Sequence, residues 1–241
     1  MRTLLSYREL DELGTALISD YRKRTGRRGA DSVDIEGFIR DYLGLRIEYR
    51  DFATGDMDDV GFYGDGRASL RILEDGQTVD WICPEGTVVI ERRLLTDMNS
   101  GRRRFTLAHE AAHYILLRHV PLQTVTFFLM PAESGVAGDP QELERVLSLN
   151  EACANRLAAA LLMPEPLVRR AVERFNRGRS SVLYYGTGLL DQEEKLAVAG
   201  MAWMLGVSYS AMLNRLGELD MMISRPFREY AERLLRIERA V

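Results

Sequence analysis

Apolar residues recur every three or four positions between Tyr7 and Arg24, where Leu10, Leu13, Leu17, Ile18 and Tyr21 make one stripe. The chain therefore opens on an amphipathic helix. A second helix is predicted from about Asp34 to Tyr42, closed by Gly44. The period then drops to two. Leu45 to Tyr49 reads as a strand, and further candidates are Val60 to Tyr63, Ala68 to Ile72, Val79 to Ile82 and Thr87 to Glu91. The last is the firmest, because Thr87-Val88-Val89-Ile90 is wholly β-branched and set off by Pro84 and Gly86. These strands predict a small sheet beside the helix that follows, which has no Gly or Pro between Gly101 and Pro121. Beyond Pro121, Leu122 to Met130 reads as one more strand and Ala132 to Pro140 as a loop. A long helix follows from about Gln141 to Met163, stopped by Pro164 and Pro166, then another from Leu167 to Phe175. Arg177 to Leu190 reads as a loop, and the last fifty residues mainly as helices.

The helix after the sheet carries His109-Glu110-Ala111-Ala112-His113. Residues four apart on a helix stand one above the other, so His109 and His113 can place two imidazole nitrogens on one zinc ion. Glu110 is not a ligand in this arrangement and faces the attacking water as general base. Only three histidines occur in the chain, and two of them fall in this pattern.

A catalytic zinc usually takes three protein ligands. His119 stands at the third-histidine spacing of the metzincins, but Leu116 occupies the position where that pattern needs a turning Gly. Cys153, Glu142, Glu144 and Glu151 are further candidates on the next long helix. That helix contains Glu151-Ala152-Cys153-Ala154-Asn155 and ends Leu161-Leu162-Met163-Pro164. With Arg104-Phe105-Thr106-Leu107-Ala108 ahead of His109, these blocks resemble the ImmA/IrrE metallopeptidases, over roughly residues 7 to 220. The resemblance implies an α+β, zincin-like fold: a small sheet packed on the His-Glu-x-x-His helix, with a mainly helical C-terminal part. It also implies Zn2+ held by His109, His113 and Glu151, Glu110 as the base, and Asn155 as a hydrogen-bonding support. The expected division is a metallopeptidase domain over 1–180 and a helical extension over 181–241.

Composition narrows the setting. The 46% hydrophobic content is that of a globular chain, and a net charge of −4 gives no overall footprint for nucleic acid. Cys83 and Cys153 do not form a disulfide framework, the N-terminus lacks a signal-peptide core, and the apolar run Ala197 to Val207 is too short to span a bilayer. A cytoplasmic protein is expected.

Leu196 to Met222 resembles a helix-turn-helix, with Gly206-Val207-Ser208 as its turn. Its second helix offers Asn214 and Arg215 beside Glu218 and Asp220, which is poor chemistry for phosphates and argues against direct DNA binding. The expected activity is a zinc-dependent endopeptidase. The family resemblance implies a helix-turn-helix transcriptional repressor as its substrate and relief of repression as the outcome. The alternatives are a DNA-binding regulator and a non-cleaving anti-repressor with a zincin-like domain. His119, Tyr114, Tyr184 and Tyr185 are the candidate donors to a developing oxyanion.

Overall fold

A computed structural model describes residues 5–27, 29–53, 60–119 and 140–238. The expected strand Leu122 to Met130 and the loop after it lie outside these residues. The fold is mixed α+β and forms two compact units, Met1–Pro164 and Glu165–Val241. Helix Glu165–Phe175 thus groups with the C-terminal unit, ahead of the expected boundary at 180.

In the first unit, α1 (Tyr7–Arg24) starts at a reciprocal cap in which Ser6 and Glu9 satisfy each other's backbone amides. Its inner face is Leu10, Gly14, Ile18 and Tyr21, at the predicted spacing. Arg22 in its last turn is buried, with Nε donating to the Arg27 carbonyl at 3.1 Å. The second predicted helix begins as one α turn, α2 (Ile35–Gly37), under the Asp34 cap. It continues as a π-helix over Phe38–Tyr42, where the Leu43 amide bonds five residues back to Phe38. Within that wide turn the Phe38 and Tyr42 rings stack at 5.2 Å, and Tyr42 donates to Asp20 at 2.8 Å.

The strands divide into two groups rather than one sheet. Strand β5 (Thr87–Glu91) is central, with β1 (Arg46–Arg50) parallel on one side and β2 (Gly61–Gly64) antiparallel on the other. Every residue of β5 is buried, as a continuous β-branched run requires. Strands β3 (Ser69–Glu74) and β4 (Gln77–Ile82) make a hairpin of their own. Its turn residues Asp75 and Gly76 both take positive φ, the geometry that suits a two-residue hairpin. The hairpin separates because its alternation buries Leu70 and Ile72 against Phe52, Cys83 and Val89, while its other face stays exposed.

Helix α3 (Ser100–His119) lies against β2 and β5 and packs along α4 (Pro140–Leu162). Small buried residues, Ala108, Ala111 and Ala112 on α3 with Ala154 and Ala158 on α4, let the backbones approach. On the other side of α4, a Cβ at Gly14 of α1 would lie 2.7 Å from Ala160 Cβ. A largely buried ion pair, Asp11 with Arg156, ties the same two helices.

The second unit contains α5 (Glu165–Phe175), β6 (Val182–Tyr185), α6 (Gln192–Leu205), α7 (Tyr209–Glu218), β7 (Met222–Arg225) and α8 (Phe227–Glu238). The stretch Arg177 to Leu190, expected as a loop, contains β6, which pairs in parallel with β7. Helices α6 and α7 are bent by 99° across Gly206, which is left-handed, and Ser208, which caps α7. That is helix-turn-helix geometry. Among the described residues no single helix is long and apolar enough to cross a membrane.

Candidate metal centre

Two adjacent turns of α3 present His109 and His113 toward α4, whose Glu151 faces them. The histidine Nε2 atoms are 3.0 Å apart. Glu151 reaches both, with Oε2 3.2 Å from His109 Nε2 and Oε1 3.4 Å from His113 Nε2. Three donors bound tetrahedrally at about 2.0–2.2 Å from one ion would stand roughly 3.3 Å apart. The observed triangle has that size, and it is the one such group among the described residues.

The electrostatics fit a shared cation. Burial first, then the charge of His109, pushes His113 down to about 4, against the pull of Glu151. Burial also opposes the charge on His109, yet the Glu151 and Glu110 carboxylates and the Asn155 amide hold it above its ordinary value. Glu151 in turn lies below the usual carboxylate range, chiefly through its bond with His109. A divalent cation binding these donors would compete with protons for the same nitrogens and oxygens. Asn155 acts on the His109 ring, although the buried Nδ1 closes no hydrogen bond within normal limits. Ligating histidines are commonly oriented through this second nitrogen.

Glu110 is the next residue on the same helix, and its charge acts on His109. It is buried under the edge of the sheet, where a Cβ built on Gly61 of β2 would stand 2.6 Å from Glu110 Oε1 and 2.4 Å from Thr106 Cγ2. Nothing in the linear pattern singles out Gly61, whose neighbours on α3 are brought close only by the fold.

The other candidates separate. Helix α3 continues through buried Leu116 to His119, so no turn folds residue 119 back, and its side chain lies outside the described residues, as do those of Glu142 and Glu144. Cys153 stays outside the donor triangle, and burial raises its thiol. Tyr114 packs its ring 5.5 Å from Tyr63 of β2, a residue the motif reading does not include. Burial pushes the Tyr63 phenol up to about 12, so it remains a proton donor at any physiological pH. Tyr185 is buried in the second unit against Tyr230, and Tyr184 is its neighbour on β6.

Residues 40–217 match the model of a peptidase family described as the IrrE N-terminal-like domain. The chain belongs to the ImmA/IrrE family. The radiation response metalloprotease IrrE of Deinococcus radiodurans is 40% identical over 74 residues, 31% of this chain. The match spans only 19% of that relative's length. A solved structure of a Mycobacterium tuberculosis transcriptional regulator is similar with a TM-score of 0.49 and 14% identity, over 86% of this chain and 55% of that one. Membership of ImmA/IrrE makes this a chain of metallopeptidase type, and the His109–His113–Glu151 group is where it could hold a divalent metal.

Proposed function

We propose that the chain is a zinc-dependent endopeptidase of zincin-like architecture, acting in the cytoplasm on a helix-turn-helix transcriptional repressor and so relieving repression. The observation that carries the metal site is the triangle of His109, His113 and Glu151 donors, 3.0 to 3.4 Å on a side. Zinc bound there supplies Lewis-acid polarisation of the scissile carbonyl and a lowered pKa for water. Glu110 takes the proton of the attacking water and passes it to the leaving amine. Its burial restricts competing solvent and keeps the carboxylate directed. The exposed outer side of Glu151, 56% accessible, leaves the centre open for a polypeptide to enter. The repressor as substrate rests on family resemblance alone. Both cysteines are free, as a reducing compartment favours.

The bent α6–α7 pair favours a second reading, a DNA-binding regulator. Its chemistry is weaker than the sequence suggests. Arg215, expected as an exposed cation on α7, is fully buried and paired with Glu218 at 3.0 Å. Of the two groups expected to be offered, only Asn214 is exposed.

The test is zinc content together with cleavage of a panel of purified helix-turn-helix repressors, followed by intact-mass spectrometry. Wild type should hold about one zinc per chain and cut at a defined bond, while Glu110→Gln should keep zinc and lose cleavage. Cleavage undiminished in Glu110→Gln rejects the mechanism. A wild type that takes up no zinc rejects the enzyme.

A further inference from the structure

We propose that Gly61 positions Glu110: the side chain missing from β2 is the space that the general base occupies. This rests on the peptidase reading and deepens it by naming what holds the carboxylate in place.

Backbone conformation does not explain the glycine. Gly61 is absent from the residues with positive φ and sits in regular antiparallel register opposite Ile90. Any residue could adopt that conformation. What excludes a side chain is space. A Cβ would lie 2.4 Å from Thr106 Cγ2, 2.6 Å from Glu110 Oε1 and 3.2 Å from Glu110 Cδ. Non-bonded carbons settle at about 3.5–4.0 Å. Thr106 and Glu110 are four residues apart, so they share the face of α3 that β2 covers. Both are 7% exposed, which leaves little room for retreat into solvent.

The two neighbours would yield differently. Thr106 Oγ1 donates to the Arg102 carbonyl at 3.0 Å, which fixes its β-branched side chain with the methyl toward β2. The Glu110 carboxylate ends a longer side chain with more torsions, so it would swing away first. A methyl group at position 61 therefore displaces the base once the threonine methyl is out of the way. It leaves His109, His113 and Glu151 untouched.

The decisive variant is Gly61→Ala combined with Thr106→Ser, which keeps the hydroxyl and removes the clashing methyl. Thr106→Ser alone is its control. Three readouts are taken: zinc content, the crystallographic position of the Glu110 carboxylate, and kcat and KM on a repressor that the wild type cleaves. The double variant should bind zinc as the wild type does. Its carboxylate should move by about 1 Å, with KM within about twofold and kcat lower by about 10- to 100-fold. Thr106→Ser alone should keep kcat within about twofold of wild type. A carboxylate that stays in place in the double variant overturns the proposal. So does a raised KM with unchanged kcat, which would make Gly61 a substrate contact, or an equal loss in Thr106→Ser alone. If the wild type cleaves nothing, the peptidase reading fails, and the carboxylate position still decides whether Gly61 sets Glu110.

Discussion

Glu151 is the residue on which the metal reading can fail. His109 and His113 belong to one helix, and their spacing alone would bring them together. Glu151 comes from α4, so its place at 3.2 and 3.4 Å depends on how two helices cross. Glu151→Ala should weaken zinc binding by more than the 10–100-fold typical of losing a supporting hydrogen bond. Competition against a chromophoric chelator measures this, and unchanged affinity would move the third ligand elsewhere. Cys83 gives a second test at this scale. Its sulfur is buried with Phe52, Leu70, Ile72 and Val89, and burial first, then the charges of Glu48 and Asp65, pushes the thiol up to about 12. The folded state therefore keeps a proton that the unfolded chain releases from about pH 8.5 upward. The stabilising contribution is complete below that pH and is lost as the pH rises toward 12. The unfolding midpoint should fall over this alkaline window, less steeply in Cys83→Ala, and iodoacetamide at pH 8 should alkylate half-buried Cys153 before Cys83. The histidines and Glu110 are legible in the sequence because helical spacing is a local property. Glu151 needs the family pattern, and Gly61 cannot be read at all, because its constraint is a side chain on another element.

Elements are legible where their pattern is self-contained. Helix α1 and strand β5 have the bounds their periodicity predicts, since a capped amphipathic stripe and a β-branched run each specify their own conformation. Strand β6 is not legible: Val182–Tyr185 is short, lies among Gly and Ser, and is defined by parallel pairing with distant Met222–Arg225. The split of the strands into a sheet and a hairpin is equally non-local. Packing of α1 on α4 carries a prediction of its own. Gly14→Ala gains about 1 kcal/mol of helix propensity. Against that, its Cβ would stand 2.7 Å from Ala160 Cβ and 3.1 Å from the Ala160 backbone carbon, neither of which can rotate away. Overpacking of this kind costs about 1–3 kcal/mol, so the net effect should be a loss of stability. Thermal unfolding of the variant should show a lower midpoint. A raised midpoint would mean that α1 and α4 are less closely seated than these distances require.

At the scale of the whole molecule, the proposed metal site draws all its ligands from one unit. His109, His113 and Glu151 lie within Met1–Pro164, while Glu165–Val241 contains the bent α6–α7 pair and the β6–β7 ribbon. The boundary at Pro164 is poorly legible because Pro164 and Pro166 mark only a helix stop. Which side α5 joins is decided by packing: Gly200 of α6 leaves space for the Phe175 ring, where a Cβ would come within 2.4 Å. Zinc that binds the folded state alone stabilises it by mass action, by about 2.7 kcal/mol at a hundred times the dissociation constant. Because α3 and α4 supply the ligands, that stabilisation should appear as slowed amide exchange across 100–119 and 148–162. Exchange in Gln192–Glu218 should change little, and Glu151→Ala should abolish the effect on α3 and α4. Hydrogen-exchange mass spectrometry with and without zinc resolves the two units in one experiment. Slowed exchange confined to the C-terminal unit would mean that the metal binds somewhere other than between α3 and α4, and the triangle of donors would lose its role.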